Sequence, residues 1–112
     1  HANGAFTLGE NIADYGGLQV SFQAFKNATA GNPLDEKLGF TPEQRFFLAY
    51  ANVWAGNIRP EEILRRTKSD PHSLGKWRVD GALPHISAWY DVFNITEDQP
   101  MYLPVEKRVN IW

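Results

Sequence analysis

Apolar residues recur at steps of three and four along the first 27 residues of the chain. They form one stripe, the spacing of which is typical of a helix face, made of Leu8, Ile12, Tyr15, Leu18, Phe22 and Phe25. The pattern predicts a helix from Thr7 to about Asn27, despite Gly16 and Gly17. The following residues, 28–39, combine turn formers with charge and are expected to form a surface loop.

A second helix is predicted to begin at the sequence TPEQ. Thr41 is placed to cap it, Pro42 takes the first helical position and Gln44 completes a capping box. Gly56 is expected to end this helix. Pro60 then opens a third, shorter helix, with two glutamates in its first turn.

The remaining residues show weaker periodicity. Segment 68–85 is broken by Pro71, Gly75, Gly81 and Pro84, so we expect it to be a long irregular stretch. Residues 86–93 can form a last short helix, and the apolar tail 99–112 is expected to dock on the domain rather than hang free. Because no convincing strand pair is present, the predicted class is mainly α.

Composition and charge narrow the possible functions. Of 112 residues, 11 are basic and 13 acidic, and a net charge of −2 argues against a nucleic-acid partner. The chain has no cysteine, so a bound metal would need His, Asp or Glu ligands. No apolar run approaches the roughly 18 residues of a membrane span. The start at His1, without a methionine or a leader, leads us to expect a processed or excised segment.

Glu10 and Asp14 lie one helical turn apart on the first helix. A capping box formed by Thr7 and Glu10 explains the glutamate without any active site. Asp14 is harder to explain, because a like-charge pair at this spacing costs roughly 0.2 to 0.5 kcal/mol. Local physics therefore accounts for one of the two carboxylates and leaves the other open.

The helical positions of the two acids suggest a second interpretation. Glu10 and Asp14 share a flank with the small residues Ala13, Gly17 and Ala24, which would allow another helix to approach closely. Acids in such a contact need a positive partner. A cation between two helices would meet this need, with Glu10 as its ligand and Asp14 orienting another ligand.

His72 is the histidine for which the sequence offers a role. A lone histidine in a loop is usually exposed and incidental, and His1 and His85 are interpreted in that way. Asp70, however, stands two residues before His72 and can orient or charge its imidazole. An imidazolium could stabilise an oxyanion. Arg78 has no special role that the residues alone indicate.

Several motifs in order resemble a known family. The stretches GENIADYGGL, FFLAYANVWAG and RPEEILRRTKSDPHSLGKWRVDG, followed by the terminal Trp112, are similar to the C-terminal end of the neprilysin and endothelin-converting enzyme family of zinc metallopeptidases. The resemblance covers nearly the whole chain. It implies a mainly α fold, the C-terminal helical portion of a thermolysin-like zinc peptidase catalytic domain, with oligopeptides as substrates.

The resemblance also implies roles for individual residues. Glu10 matches the third zinc ligand of the family, and Asp14 matches the aspartate that orients a zinc-bound histidine. His72 matches the histidine that stabilises the transition state, with Asp70 as its partner. Arg78 matches the arginine that binds a backbone carbonyl of the substrate.

One departure from the family concerns the metal. The family's His-Glu-x-x-His motif is absent, since none of the three histidines is followed by Glu. We therefore expect residues 1–112 to be the C-terminal segment of a catalytic domain completed upstream, and to bind no catalytic zinc and cleave no peptide alone. An alternative is a non-catalytic helical interaction module derived from the family, and a purely structural α-domain is a third possibility.

A second departure concerns cysteines. The animal enzymes have cysteines where this chain has Ala55 and Val109, so the resemblance leads us to expect a bacterial member, located in the cell envelope, periplasmic or secreted. Without the upstream part, the small-residue flank of the first helix would be exposed. Self-association through that flank is therefore expected of the isolated segment.

Overall fold

Five α-helices form the fold. A computed structural model describes residues 3–111, and the helices run in the order α1 (Gly4–Thr29), α2 (Pro42–Val53), α3 (Pro60–Ser69), α4 (Gly75–Ala82) and α5 (Ser87–Phe93). Two 3₁₀ turns, Leu83–His85 and Val105–Lys107, complete the secondary structure. Between residues 3 and 111 the only β pairing is an isolated bridge from Lys37 to Phe40. The prediction of a mainly α chain is confirmed.

Helix α1 begins earlier than its apolar pattern indicates. Asn3 is the N-cap, and its side-chain oxygen accepts from the Phe6 amide at 3.2 Å. The predicted capping box of Thr7 and Glu10 is therefore wrong, because both residues lie inside the helix. Thr7 instead donates its hydroxyl to the Asn3 carbonyl at 3.3 Å. Glu10 is left without a capping role.

Helices α2 and α3 begin where the sequence predicts. The Thr41 hydroxyl accepts from the Gln44 amide at 3.1 Å, and the Gln44 side chain accepts from the Thr41 amide at 3.0 Å. This reciprocal pair satisfies two amides that would otherwise lack partners. Pro60 is the first residue of α3.

Helix α4 corrects the prediction of an irregular stretch at 68–85. Leu74 is extended and its carbonyl accepts from the amides of Trp77 and Arg78, at 2.8 and 3.1 Å, which starts the helix. Val79 and Leu83 then pack into the hydrophobic core. This packing stabilises a short helix that its local sequence, with two glycines, favours only weakly.

The core fixes the orientation of α1. Its buried members are Tyr15, Leu18, Phe47, Leu83, Ile86, Trp89 and Tyr90. α1 packs on α4, and α2 packs on α5. The Phe22 ring lies 5.0 Å from Phe47 and 5.1 Å from Phe46, between ring centres, which is within the range of favourable aromatic pairs. Burial of this face turns the flank that bears Glu10 and Asp14 toward α4.

The tail docks on the domain as predicted, at least to Val109. The Tyr15 hydroxyl donates to the Val109 carbonyl at 2.8 Å, and Nδ1 of His85 accepts from the Val109 amide at 3.0 Å. His85, interpreted from sequence as incidental, therefore has a structural role. His1 and Trp112 lie outside the described residues. Across residues 3–111 no helix combines the length and apolar character needed to cross a membrane.

Candidate active site

The Asp14 carboxylate is paired with Arg78. Arg78 Nη2 donates to Asp14 Oδ1 at 2.7 Å, and Arg78 Nε donates to Asp14 Oδ2. The side chains are only 6% and 13% exposed. The hydrogen bonds that Arg78 donates to Asp14 raise the pKa of Arg78 above its ordinary value, so the guanidinium keeps its charge. α4, which the sequence did not predict, is the element that brings Arg78 to α1.

Arg78 also explains why α1 tolerates two neighbouring acids. Its Nη2 atom lies 3.7 Å from Glu10 Oε2, so one guanidinium faces both carboxylates. Each oxygen of Asp14 accepts one hydrogen bond from Arg78 and keeps a further acceptor site. Asp14 can therefore hold Arg78 and still accept from another donor, such as the N–H of a histidine.

His72 is oriented by Asp70 in the turn between α3 and α4. Asp70 ends α3 in an extended conformation, and its Oδ1 atom accepts from the His72 amide at 2.9 Å. The same oxygen lies 2.7 Å from Nδ1 of His72. The His72 amide, followed by its side chain, lowers the pKa of Asp70. Asp70 therefore stays ionised and fixes the imidazole.

The imidazole of His72 points toward α1. Its Nε2 atom lies 3.6 Å from Glu10 Oε2, and its side chain is 55% exposed. Glu10, Asp70, His72 and Arg78 line one open cavity of about 620 Å³. The structure thus brings together all five residues that the sequence singled out, from segments 60 residues apart.

The Glu10 carboxylate is partly open to solvent. It is 44% exposed, and the nearest nitrogen atoms of Arg78 and His72 lie 3.7 and 3.6 Å from its Oε2 atom, beyond hydrogen-bond distance. Within the described part of the chain, no group of three or more His, Asp and Glu side chains could hold a metal ion. The residues therefore fit one ligand position of a zinc site, and the other ligands would have to come from elsewhere.

Comparison with known proteins finds relatives that match the whole chain. The model of peptidase family M13 matches residues 1–109. Human membrane metallo-endopeptidase-like 1 is 39% identical over 115 residues, covering the whole chain and 14% of that protein. Human neprilysin is 38% identical over 116 residues, covering the whole chain and 15% of that protein.

This chain belongs to peptidase family M13. The fold of this M13 chain is also that of the zinc metalloprotease Zmp1 of Mycobacterium tuberculosis, in its open state and in complex with an inhibitor. Each structure has a TM-score of 0.94 and 40% identity, covering all of this chain and 17% of the other. The M13 chain therefore spans about a sixth of the length of the relatives that it matches.

A second feature is an open groove between α1 and α2. Its volume is about 400 Å³, and the residues that line it include Ala13, Gly17, Ala49 and Val53. A methyl group added at Gly17 would meet nothing within 4 Å. Among residues 3–111, the small residues of this flank therefore border open space, whereas Asp14 on the same flank pairs with Arg78 of α4. These small residues leave space for another segment to seat there.

Trp54 is the site residue that the sequence did not reveal. It directly follows Val53, the last residue of α2. In the structure its ring lies beside the Arg78 guanidinium and lines the cavity. No local signal identifies this contact, since it depends on the placement of α4.

Proposed function

We propose that this M13 chain is the C-terminal portion of the catalytic domain of a zinc-dependent endopeptidase that hydrolyses oligopeptides. The observation that carries the proposal is the convergence of Glu10, His72 and Arg78 on one cavity, although they come from three separate segments. Membership of family M13 supports it. The remaining zinc ligands and the general base would come from an upstream part of the same polypeptide.

Glu10 would be the zinc ligand that this chain supplies. When bound, zinc polarises the scissile carbonyl and lowers the pKa of its water. Glu10 stands on α1, whose rotation is fixed by the core, so its backbone position would be set before any metal binds. Asp14, one turn later, would accept from a zinc-bound histidine with the acceptor sites that Arg78 leaves free.

His72 would stabilise the oxyanion of the tetrahedral intermediate. Oδ1 of Asp70 lies 2.7 Å from Nδ1 and fixes the ring, so that Nε2 faces the cavity. The Nε2 proton would then be donated into the cavity. Because this hydrogen bond becomes strong only as negative charge develops on the substrate oxygen, it would lower the barrier more than it tightens binding.

Arg78 would bind a backbone carbonyl of the substrate. A guanidinium has five N–H donors, and Asp14 occupies two of them. The donors that remain can reach a carbonyl oxygen in the cavity. Since Arg78 is nearly buried and held by Asp14, little side-chain freedom would be lost on binding.

Substitutions in the complete, zinc-loaded enzyme test these assignments. Glu10→Ala should abolish zinc retention, measured by metal analysis after dialysis. His72→Ala should keep the zinc and slow turnover by about 10² to 10³, the usual loss of one oxyanion donor. His85→Gln, a substitution at a histidine outside the cavity, should leave zinc and turnover close to wild type. Retained zinc with full activity in the Glu10 variant would end the assignment.

The location and partners of the protein belong to the same proposal. Peptides are the expected substrates, and the cell envelope, the periplasm or the exterior is the expected compartment. The rival proposal, a non-catalytic interaction module, is supported by the open groove between α1 and α2. Translating the coding sequence upstream of His1 separates the two, because the peptidase requires a His-Glu-x-x-His motif on an amphipathic helix.

A further inference from the structure

Tyr50 of α2 and Trp54, the residue that caps the C-terminal end of α2, contact Arg78 from sides that Asp14 does not reach. The Tyr50 hydroxyl donates to the backbone carbonyl of Arg78 at 2.9 Å. The guanidinium carbon of Arg78 lies 4.4 Å from the centre of the Trp54 ring. Tyr50 and Trp54 are four residues apart, so the C-terminal end of α2 and its C-cap contact both the backbone and the side chain of the same arginine.

The ends of α2 and α4 meet at backbone distance. Gly75, the first residue of α4, lies against the carbonyl of Trp54, and a Cβ atom at this position would collide with that oxygen. The same Cβ would lie 3.3 Å from the Cβ of Trp54. The glycine therefore allows an approach that sets the Trp54 ring against Arg78, three residues farther along α4.

The two kinds of contact restrain different motions. A ring attracts a guanidinium across its face, whereas hydrogen bonds use the N–H groups at its edge. Trp54 therefore limits tilting of the plane and leaves the edge donors free. Burial, followed by the charge of Asp14, raises the pKa of Tyr50 to about 12. Its hydroxyl thus keeps its proton and stays a donor at neutral pH.

We propose that Trp54 and Tyr50 are positioning residues for Arg78, which hold the guanidinium plane so that its remaining N–H groups face the substrate carbonyl. This inference rests on the proposed role of Arg78. It assigns α2 a part in substrate binding, in addition to its packing in the core.

A double-mutant cycle in the complete, zinc-loaded enzyme tests the inference. Trp54→Leu should raise KM about tenfold and leave kcat within about twofold, because contact of a cation with a ring is lost. Trp54→Phe keeps an aromatic face and should restore most of the affinity. Tyr50→Phe, which removes one hydroxyl, should raise KM several-fold. The dissociation constant of a non-hydrolysable peptide, measured by calorimetry, should rise by the same factors.

The decisive measurement is the combination with Arg78→Lys, which keeps the charge and loses the planar fork. If Trp54 acts through Arg78, Trp54→Leu should add little to the KM of the Arg78→Lys enzyme. If the increases in KM of Trp54→Leu and Arg78→Lys multiplied in the double variant, the inference would be overturned. An equal increase in KM in Trp54→Leu and Trp54→Phe would also overturn it. If Arg78→Lys alone left KM unchanged, the proposed role of Arg78 itself would fail. Should Trp54→Leu not fold, Trp54→Phe and Tyr50→Phe in both backgrounds decide the question.

Discussion

Asp14 and Arg78 form a two-point ion pair across 64 residues of sequence, with both side chains largely excluded from water. The pair ties α4 to the helix that carries Glu10. Desolvation offsets much of the attraction in such a pair, so its net contribution to stability is small. Removal of one partner is a different matter, because the remaining charge stays largely buried and loses its hydrogen-bonded counter-ion.

Asp14→Ala should therefore destabilise the chain strongly. We expect the free energy of unfolding to fall by about 3 kcal/mol, measured by urea denaturation of the 112-residue chain. Lys26→Ala is the matched control, since the Lys26–Glu43 pair is more exposed, at 48% and 28%, and its loss should cost less than about 1 kcal/mol. The double variant Asp14→Leu/Arg78→Met should recover most of the lost stability, and equal instability of the single and double variants would contradict this account.

The extent of sequence-based prediction differs between elements. The start of α2 could be predicted to the residue, because the signals of its capping box are local and Thr41 and Gln44 satisfy each other. Its end is Val53, three residues before the Gly56 that was expected to end it. At α1 the same type of signal gave a wrong start. The helix begins before Thr7 and is capped by Asn3, so Thr7 and Glu10, the residues of the predicted capping box, lie inside the helix. A capping motif specifies a helix start only where no better cap precedes it.

Prediction of the site shows a similar division. The turn from Asp70 to His72 depends on residues two apart, and its geometry follows from the sequence. The pairing of Asp14 with Arg78 does not, because it requires α4, whose two glycines and short length conceal it. Trp54 was concealed for the same reason, since its partner comes from that helix.

Two helical glycines should respond to alanine in opposite directions. Gly75→Ala should lower the free energy of unfolding by about 1 to 3 kcal/mol, because the new methyl group meets the Trp54 carbonyl. Gly17→Ala, with nothing within 4 Å, should raise it by about 0.5 to 1 kcal/mol through helix propensity. In the complete catalytic domain, Gly17→Ala should no longer raise the free energy of unfolding if another helix packs on the small-residue flank of α1. Urea denaturation measures both changes in the free energy of unfolding. Changes of the same sign in the two variants would contradict this distinction.

His85 should make the stability depend on pH. Burial lowers the pKa of His85 below its usual 6.5, so the unfolded chain binds the proton more tightly than the folded chain does. Neutral His85 therefore contributes to the free energy of unfolding. This contribution is complete above about pH 6.5, and it is lost as the pH falls through the lower pKa of His85 in the folded state. Protonation of Nδ1 also removes the acceptor of the Val109 amide.

The variant His85→Gln should flatten this dependence between about pH 6.5 and the folded-state pKa. Tyr15→Phe is the control, because it removes the other hydrogen bond to Val109. It should lower the free energy of unfolding by about 1 kcal/mol at each pH and leave its dependence on pH unchanged. Urea denaturation across the pH range measures both. A slope in the His85→Gln chain equal to that of the wild type would show that another group causes it.

The 112-residue chain should bind zinc weakly, if at all. Glu10 offers one carboxylate, and Asp14 is engaged by Arg78, whereas structural and catalytic zinc sites use at least three protein ligands. Titration calorimetry should show no tight one-to-one binding to the wild type, and Glu10→Ala should give the same trace. Tight stoichiometric binding that Glu10→Ala removes would mean that these residues form a metal site by themselves, so the upstream ligands would no longer be required. Adding the upstream segment that carries His-Glu-x-x-His should create the binding and make it sensitive to Glu10, since that segment supplies the two missing ligands.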